Sequence, residues 1–249
     1  METLKDKIAI VTGGGRGLGK AIAEAYADNG AKVIVTAAKN KNEIEQVASK
    51  INGLALVSDI TNPQDVQNLV DTVIKEFGSI DILVNNAARG MLFVNENFMT
   101  DPKPFWESDP DAWQMIIHTN INGTYLMTRA VIPQMLKQKS GRIINISINL
   151  GTMKRKGFSP YGPSKAALES MSTIWSQELE GTGITLNTLL PGGATLTGMI
   201  PPSFPEDRKP NLLQPDVIAP AAVYLASDEA QNFSGQRIIA NDWNKEHGI

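Results

Sequence analysis

Short apolar segments alternate with longer helical stretches along the whole chain. The apolar segments are bounded by turn residues and read KIAIVTG, KVIVTA, LALVSD, IDILVNN, GRIINIS, GITLNTLLPG and GQRIIA. Such continuous apolar runs are typical of strands buried on both faces, whereas stretches such as PQDVQNLVDTVIKEFG have helical spacing. Because parallel neighbours need crossover connections, the alternation predicts an α/β fold: a doubly wound parallel sheet of about seven strands with helices on both faces.

The chain of 249 residues is expected to form a single domain over residues 1–249, since no linker or repeat divides it. Two irregular segments, near 89–110 and 198–215, are rich in proline or aromatic residues and long for loops. They are candidates for substrate walls or lids, and an alternative is that they anchor the loops to the body. The large apolar residues in them are Phe93, Phe98, Phe105, Trp106, Met199, Ile200 and Phe204.

Composition excludes several classes of function. The formal net charge of -3 gives no global attraction for nucleic acid or an anionic membrane, and no apolar run is long enough to span a bilayer. There is no cysteine, and His118 and His247 are too far apart for a local metal motif, so we expect no metal site. The N-terminal METLKDKIAIVTGG lacks the hydrophobic region of a signal peptide, which favours a cytoplasmic location.

A glycine-rich turn follows the first predicted strand. Gly13, Gly17 and Gly19 in TGGGRGLGKAIAEAYA stand where a strand meets a helix. Glycines there let the backbone approach a pyrophosphate, which the helix N-terminus attracts, although a tight turn chosen for packing is the alternative. Its place at the start of a β-α-β series favours a Rossmann-type dinucleotide site.

Six motifs in order resemble the short-chain dehydrogenase/reductase family, in particular its 3-oxoacyl-ACP reductase-like members. They are Thr12-Gly13-x-x-x-Gly17-x-Gly19, Asp59 in VSDIT with Asn85-Asn86-Ala87-Ala88, Asn120 in NINGT, Tyr161-x-x-x-Lys165 and Pro191-Gly192. The resemblance implies an NAD(P)-dependent oxidoreductase. The cofactor-binding residues that we expect are Gly13, Gly15, Arg16, Gly17, Leu18, Gly19, Ala37, Ala38, Lys39, Asp59, Ile60, Asn86, Ala87, Tyr161, Lys165, Pro191, Gly192 and Ala194.

The end of the second strand indicates which nicotinamide cofactor is favoured. The family's NAD-selecting aspartate would align near Ala37, where no carboxylate stands. Arg16 and Lys39 could both face a 2′-phosphate, so NADP(H) is favoured and NAD(H) is the alternative. The competing interpretation is that Lys39 and Lys41 only solvate a loop.

Tyr161 and Lys165 are four residues apart and share a face of a predicted helix. We expect the ammonium to lower the pKa of the phenol, so that Tyr161 exchanges protons near pH 7; an amphipathic helix with a half-buried tyrosine is the alternative. The resemblance implies that Tyr161 exchanges the proton while Lys165 also holds the nicotinamide ribose. It further implies that Asn120 holds a water linked to the lysine.

The family also has a serine thirteen residues before the tyrosine, where it hydrogen-bonds the substrate oxygen. In this sequence that position is Ile148, and Ser147 is displaced by one residue, onto the opposite strand face. Either a bulge turns Ser147 into the site, or the enzyme works without the serine, or catalysis is lost. We therefore include Ser147 with Tyr161, Lys165 and Asn120 as catalytic candidates.

The leading hypothesis is an NADP(H)-dependent carbonyl reductase or alcohol dehydrogenase acting on a small molecule, with an imine as a further substrate type. The alternative is a cofactor-binding protein with weak or no catalysis because of Ile148. The run Lys154-Arg155-Lys156 draws an anionic substrate or only solvates a loop, with the second reading favoured. The resemblance implies a homo-oligomer, tetramer or dimer; nucleic-acid binding is disfavoured.

Overall fold

One parallel sheet runs through the computed structural model, which describes residues 2–249. Its strands are β1 (Ile8–Thr12), β2 (Lys32–Ala37), β3 (Leu54–Val57), β4 (Ile82–Asn85), β5 (Gly141–Ile146), β6 (Ile184–Leu190) and β7 (Arg237–Ile239). They lie in the order β3-β2-β1-β4-β5-β6-β7, and every neighbouring pair is parallel. The predicted doubly wound sheet of seven strands is confirmed. The strand order reverses between β1 and β4, which opens a crevice at their carboxyl ends.

Helices connect the strands. Within residues 2–249 they are α1 (Gly17–Asp28), α2 (Lys41–Lys50), α3 (Pro63–Phe77), α4 (Pro110–Ile117), α5 (Thr124–Gln138), α6 (Leu150–Met153), α7 (Tyr161–Glu178), α8 (Ala219–Ala226) and α9 (Ala240–Glu246). Over the same residues, no helix has the length and apolar character needed to cross a membrane.

Alternate residues of each central strand enter opposite cores. In β1, Ala9 and Val11 belong to a cluster that includes residues of α1, α2 and α8. Ile8 and Ile10 belong to a second cluster that includes residues of α3 and α5. Both clusters are apolar, which explains why the strands read as continuous apolar runs rather than as alternating ones.

The helix α3 shows how local sequence sets these boundaries. The side chain of Asn62 accepts hydrogen bonds from the N–H groups of Gln64 and Asp65, and Pro63 occupies the first helical turn. At the other end Gly78 adopts a left-handed conformation with φ of 80°. The crossover from β3 to β4 is therefore defined at both ends by its own residues.

The long helical stretch predicted for DAWQMIIHTNINGTYLMTRAVIPQMLKQ contains an irregularity. Between α4 and α5, residues His118–Gly123 form a π-helical segment. Within it, the Asn120 carbonyl accepts a hydrogen bond from Thr124 Oγ1 at 3.0 Å. Such π-helical insertions are frequent at functional sites, and this one carries Asn120.

A buried amide network ties the sheet to the helices below the crevice. Asn85 Nδ2 donates to Asn145 Oδ1 at 2.8 Å and to Thr128 Oγ1 on α5 at 3.0 Å. Asn145 Nδ2 in turn donates to Ser172 Oγ on α7 at 2.9 Å. Because all four side chains are buried, the network fixes α5 and α7 relative to β4 and β5.

We expect Asn145→Ala to lower the free energy of unfolding by about 2 kcal/mol, because it leaves buried polar groups on Asn85 and Ser172 without their partner. Chemical denaturation monitored by circular dichroism measures the change. The control is Asn42→Ala on the exposed surface of α2, which should change the stability by less than about 0.5 kcal/mol. Equal effects of the two substitutions would contradict a structural role for the network.

Candidate active site

Thr12 and Asn86 fix the glycine-rich turn to the sheet. Thr12 Oγ1 donates to the Val84 carbonyl at 3.1 Å and accepts the backbone N–H groups of Asn86 and Ala87 at 3.0 and 3.1 Å. Asn86 Nδ2 donates to the carbonyls of Thr12 and Gly13 at 2.9 and 3.1 Å. The turn after β1 and the segment after β4 are thus held together at the crevice.

Glycines in this turn are required by conformation or by space. Gly13 and Gly17 adopt φ values of 65° and 54°, in the left-handed region that side chains disfavour. A Cβ at Gly19 would overlap the Gly13 carbonyl oxygen and Asn86 Nδ2. At the start of α1, no side chain caps the first N–H groups and no acidic residue stands in the first turn. This helix end suits an anion.

A cleft of about 500 Å³ follows the turn along the edge of the sheet. Twelve predicted cofactor-binding residues line it: Gly13, Gly15, Arg16, Gly17, Leu18, Ala37, Ala38, Lys39, Asp59, Ile60, Asn86 and Ala87. Gly19 lies behind the turn, where it permits the close approach of Asn86. We call this space the nucleotide cleft.

Two buried hydroxyls in the nucleotide cleft show that its wall fits a polar ligand. Thr36 Oγ1 and Ser58 Oγ are buried and have no hydrogen-bond partner within residues 2–249. Both residues line the cleft at the ends of β2 and β3. Buried hydroxyls normally have partners, and the hydroxyls and ring nitrogens of an adenosine group would supply them. The residues present therefore fit a dinucleotide.

The end of the cleft beside β2 carries charges of both signs. Arg16 and Lys39 line it, and no carboxylate stands at Ala37. Glu43, which was not predicted from the sequence, also lines the cleft. Its Oε1 lies 3.8 Å from Nη1 of Arg16. Only its place in the first turn of α2 could have signalled it. Glu43 offsets part of the positive charge at this end.

Asp59 lies in the cleft wall after β3. Partial burial alone would raise its pKa, but hydrogen bonds from Thr61 and the charges of Arg89 and His118 lower the pKa below its ordinary value. The Thr61 hydroxyl and N–H donate to Asp59 Oδ1 at 2.7 and 2.9 Å. Asp59 is therefore a fixed, ionised acceptor, suited to a donor on an adenine ring.

Tyr161 and Lys165 stand in the first turns of α7, beside the carboxyl end of β5. The ammonium of Lys165 donates to the Ile146 carbonyl at 2.7 Å and lies 6.0 Å from the centre of the Tyr161 ring. The Tyr161 hydroxyl lies 3.8 Å from Met199 Sδ. Both residues lie in α7, four positions apart and on one face, as the sequence predicted.

Burial dominates the titration of both groups. It raises the pKa of Tyr161 to about 12. It lowers the pKa of Lys165 to about 8, against the opposing charge of Glu169. The expected lowering of the tyrosine pKa by the Lys165 ammonium is not found in the chain alone. Burial removes solvent from the phenol and raises its pKa, while the ammonium is bound to the Ile146 carbonyl.

The Ser147 hydroxyl is bound to a carboxylate on α7. It donates to Glu169 Oε1 at 2.6 Å, on the side of the sheet that α7 covers. Ser147 lies in the same cavity wall as Tyr161, but its hydroxyl donates to Glu169, and its catalytic role stays a prediction. Ile148 instead packs against the cluster that contains Tyr161.

Glu169 joins three elements beneath the site, a role that the sequence did not signal. Its carboxylate accepts from Ser147 and from Arg237 Nε, which lies 3.0 Å from each carboxylate oxygen. Arg237 also donates from Nη2 to the Ile148 carbonyl at 3.0 Å. The segment after β5 is thereby held by charged groups from α7 and β7.

Asn120 connects the segment after β4 to α7. Its Oδ1 accepts the Arg89 N–H at 2.8 Å, while Nδ2 donates to the Arg89 carbonyl at 3.0 Å and to Ser164 Oγ at 2.9 Å. Within residues 2–249 its side chain forms no hydrogen bond to Lys165. The water-holding role that the resemblance implies for Asn120 stays a prediction. The observed hydrogen bonds hold the segment after β4 against α7.

A second cavity of about 180 Å³ lies over Tyr161, and we call it the substrate cavity. Its wall includes Lys165, Ser147 and Ile148, together with Pro191 and Ala194 from the segment after β6. Gly192, between the last two, lies outside the wall and accepts a hydrogen bond from Asn149 Nδ2 at 2.9 Å. Six residues line both spaces, so the cavity adjoins the nucleotide cleft; they are Leu18, Asn86, Ala88, Gly90, Thr197 and Met199.

The irregular segments contribute unequally to these walls. Phe98, Met199 and Ile200 line the substrate cavity, and Phe93 lines the nucleotide cleft. Phe105 and Trp106 are 64% and 73% exposed, and their rings meet edge-on with centres 5.3 Å apart, while Phe204 lines neither space. Fewer residues of the two irregular segments line the substrate cavity than the sequence suggested. Within residues 2–249 no three His, Cys, Asp or Glu residues gather into a metal-binding group.

Comparison with known proteins agrees with this architecture. The model of the short chain dehydrogenase family matches residues 7–208. The 3-oxoacyl-(acyl-carrier-protein) reductase FabG of Vibrio cholerae is 34% identical over 249 residues, covering 96% of this chain and 97% of its own.

Solved structures extend the likeness to the whole fold. A short chain dehydrogenase of Burkholderia cenocepacia in complex with NADP has a TM-score of 0.82 at 28% identity, covering 96% of this chain and 99% of its own. A structure from Escherichia coli CFT073, classed as a short chain dehydrogenase and complexed with NADPH, has a TM-score of 0.84 at 29% identity, with coverage of 96% and 99%. Because the family match begins just before β1 and continues past the Pro191-Gly192 turn, this chain belongs to the short-chain dehydrogenase/reductase family of oxidoreductases.

Proposed function

We propose that the chain is an NADP(H)-dependent reductase that interconverts a small carbonyl compound and its alcohol. The observation that carries this proposal is the position of Tyr161, whose hydroxyl faces Met199 in a cavity that adjoins the nucleotide cleft. A proton-exchanging group thus stands where a substrate and a dinucleotide would meet.

NADPH, when bound, supplies the hydride that adds to the carbonyl carbon. The Tyr161 hydroxyl donates the proton to the carbonyl oxygen, and its pKa of about 12 keeps the phenol protonated for this task at neutral pH. The buried ammonium of Lys165, with a pKa lowered to about 8, is mostly charged at pH 7 and stabilises the phenolate that remains.

The preference for NADP(H) rests on the charge of the cleft beside β2. Arg16 and Lys39 line the place where a 2′-phosphate would lie, and the two solved relatives above are complexed with NADP or NADPH. Glu43 opposes this charge only in part, since it already lies near Arg16.

A second candidate function is cofactor binding with weak or no catalysis. Ile148 packs on the cluster of Tyr161 and presents no hydrogen-bond donor, while the Ser147 hydroxyl is bound to Glu169. Loss of one donor to a developing oxyanion costs about a hundred- to a thousand-fold in rate. Binding of NADPH without consumption across a panel of ketones and imines would favour this candidate.

Homo-oligomer formation is part of the proposal. Large apolar side chains on α4, α5 and α7 are exposed, and they are Met115, Tyr125, Leu136 and Ile174. A second copy of the chain would bury them. The choice between a dimer and a tetramer, and the cytoplasmic location, stay predictions.

Tyr161→Phe should lower kcat/KM for ketone reduction by a hundred-fold or more, since the variant keeps the ring but has no proton to donate. The consumption of NADPH is followed by absorbance. Its dissociation constant for NADPH, measured by fluorescence titration, should stay within about threefold of the wild-type value. Unchanged turnover in this variant would refute the assigned role.

Lys39→Ala should reduce the preference for NADPH over NADH by about tenfold, expressed as the ratio of the two kcat/KM values, since a charge-assisted contact is worth about 1.5 to 3 kcal/mol and Lys39 is exposed. Lys41→Ala is the matched control, because Lys41 is also exposed and does not line the cleft. A similar loss in both variants would point to general electrostatic attraction rather than phosphate recognition.

Ile148→Ser separates the two candidate functions. If the missing hydroxyl limits catalysis, the variant should raise kcat by tenfold or more, because the new donor faces the space over Tyr161. An unchanged kcat in a wild-type enzyme that already turns over would show that the oxygen site is built differently. The same assay on Ile148→Val controls for the loss of side-chain volume.

A further inference from the structure

We propose that Arg155 binds an anionic group of the substrate, so that the substrate is a small oxo acid or the corresponding hydroxy acid. This inference rests on the proposed function, whose substrate class it names. Arg155 lies in the wall of the substrate cavity together with Tyr161. One cavity therefore contains both the proton donor and a guanidinium.

The position of Arg155 differs from that of its basic neighbours. Lys154, Arg155 and Lys156 are all exposed, but Arg155 lines the substrate cavity, whereas Lys154 and Lys156 line neither that cavity nor the nucleotide cleft. The guanidinium carbon of Arg155 instead lies 5.4 Å from the centre of the Phe158 ring. A cation held over an aromatic face is partly ordered before a ligand arrives. Arg155 is thus the member of the basic run that reaches the cavity wall, at its solvent-exposed side.

Phe158 is itself fixed in the substrate cavity. It is buried, and its ring meets Phe98 edge-on with the two ring centres 5.4 Å apart. Both rings belong to the cluster that contains Met91 and Tyr161. The aromatic support of Arg155 therefore also forms the apolar wall of the substrate cavity.

The charges around the substrate cavity leave Arg155 available to an anion. Within residues 2–249 it forms no ion pair with a carboxylate. No aspartate or glutamate lines the cavity, and the other cation in its wall, Lys165, is bound to the Ile146 carbonyl. A guanidinium in this state matches the paired oxygens of a carboxylate or phosphate.

The remaining wall limits the body of the substrate. Met91, Phe98, Ile148 and Ile200 are apolar, and the cavity of about 180 Å³ is smaller than common ligand pockets of roughly 300 to 1,000 Å³. A short apolar chain with a carbonyl group near Tyr161 and an anion near Arg155 fits these limits.

The test compares oxo acids with their uncharged methyl esters in wild-type and variant proteins. The acids are 4-oxopentanoate, 5-oxohexanoate and 6-oxoheptanoate, and a parallel pair of hydroxyacetone phosphate and hydroxyacetone distinguishes a phosphate from a carboxylate. For at least one pair, the wild-type kcat/KM should favour the anion by tenfold or more. Arg155→Gln should lower this preference about tenfold, while Arg155→Lys should retain part of it.

Lys156→Gln is the matched control for charge and should leave the preference within twofold. The rate with the methyl ester should fall much less in Arg155→Gln than the rate with the acid, and the circular dichroism spectrum of the variant should match that of the wild type, which shows that the variant is folded. The inference is overturned if acid and ester react equally in the wild type, or if Lys156→Gln acts as strongly as Arg155→Gln.

Binding separates this inference from the proposed function. Dissociation constants of the same acids and esters are measured by calorimetry on protein saturated with NADP⁺. Acid binding that depends on Arg155 without any turnover would sustain the inference and refute the reductase. Turnover of ketones without a preference for anions would do the reverse.

Discussion

The hydrogen bond from the Lys165 ammonium to the Ile146 carbonyl joins the sheet to α7. Lys165 is only 4% exposed, so its charge has lost most of its hydration, and one backbone carbonyl replaces part of it. The bond fixes α7 against the carboxyl end of β5, and Tyr161 stands one helical turn before the lysine on the same helix. The location of Tyr161, the proposed proton donor, therefore depends on where this ammonium is held.

Glu169 is the carboxylate that balances this buried charge. It stands one turn after Lys165 and raises the lysine pKa against the effect of burial. The same carboxylate binds Arg237 and the Ser147 hydroxyl, and Arg237 binds the carbonyl of Ile148. This network gives a physical reason for the displaced serine: Ser147 completes the solvation of a partly buried carboxylate, and Ile148 takes the place over Tyr161.

The fold was predictable from the sequence because each strand is marked by its own run of apolar residues. The runs KIAIVTG and GRIINIS are mainly apolar, and the structure buries the apolar residues of their two faces in separate cores. The nucleotide cleft was also predictable, since the glycines of the turn act through local backbone geometry. The direction of Ser147 was not, because its partner lies 22 residues away on a helix whose packing the sequence does not reveal. Glu43 and Arg237 were missed for the same reason, since each acts through a partner from a distant element.

The central claim is that Tyr161 protonates a carbonyl oxygen while hydride reaches the adjacent carbon. Its most direct test uses NADPH carrying deuterium at the transferable position, in a single turnover with a ketone, with mass spectrometry of the product. The account predicts one deuterium at the carbinol carbon of the alcohol formed by the wild-type protein, and no such product from Tyr161→Phe on the same time scale. Bound NADPH that keeps its deuterium with every ketone, or equal transfer by both proteins, would contradict it.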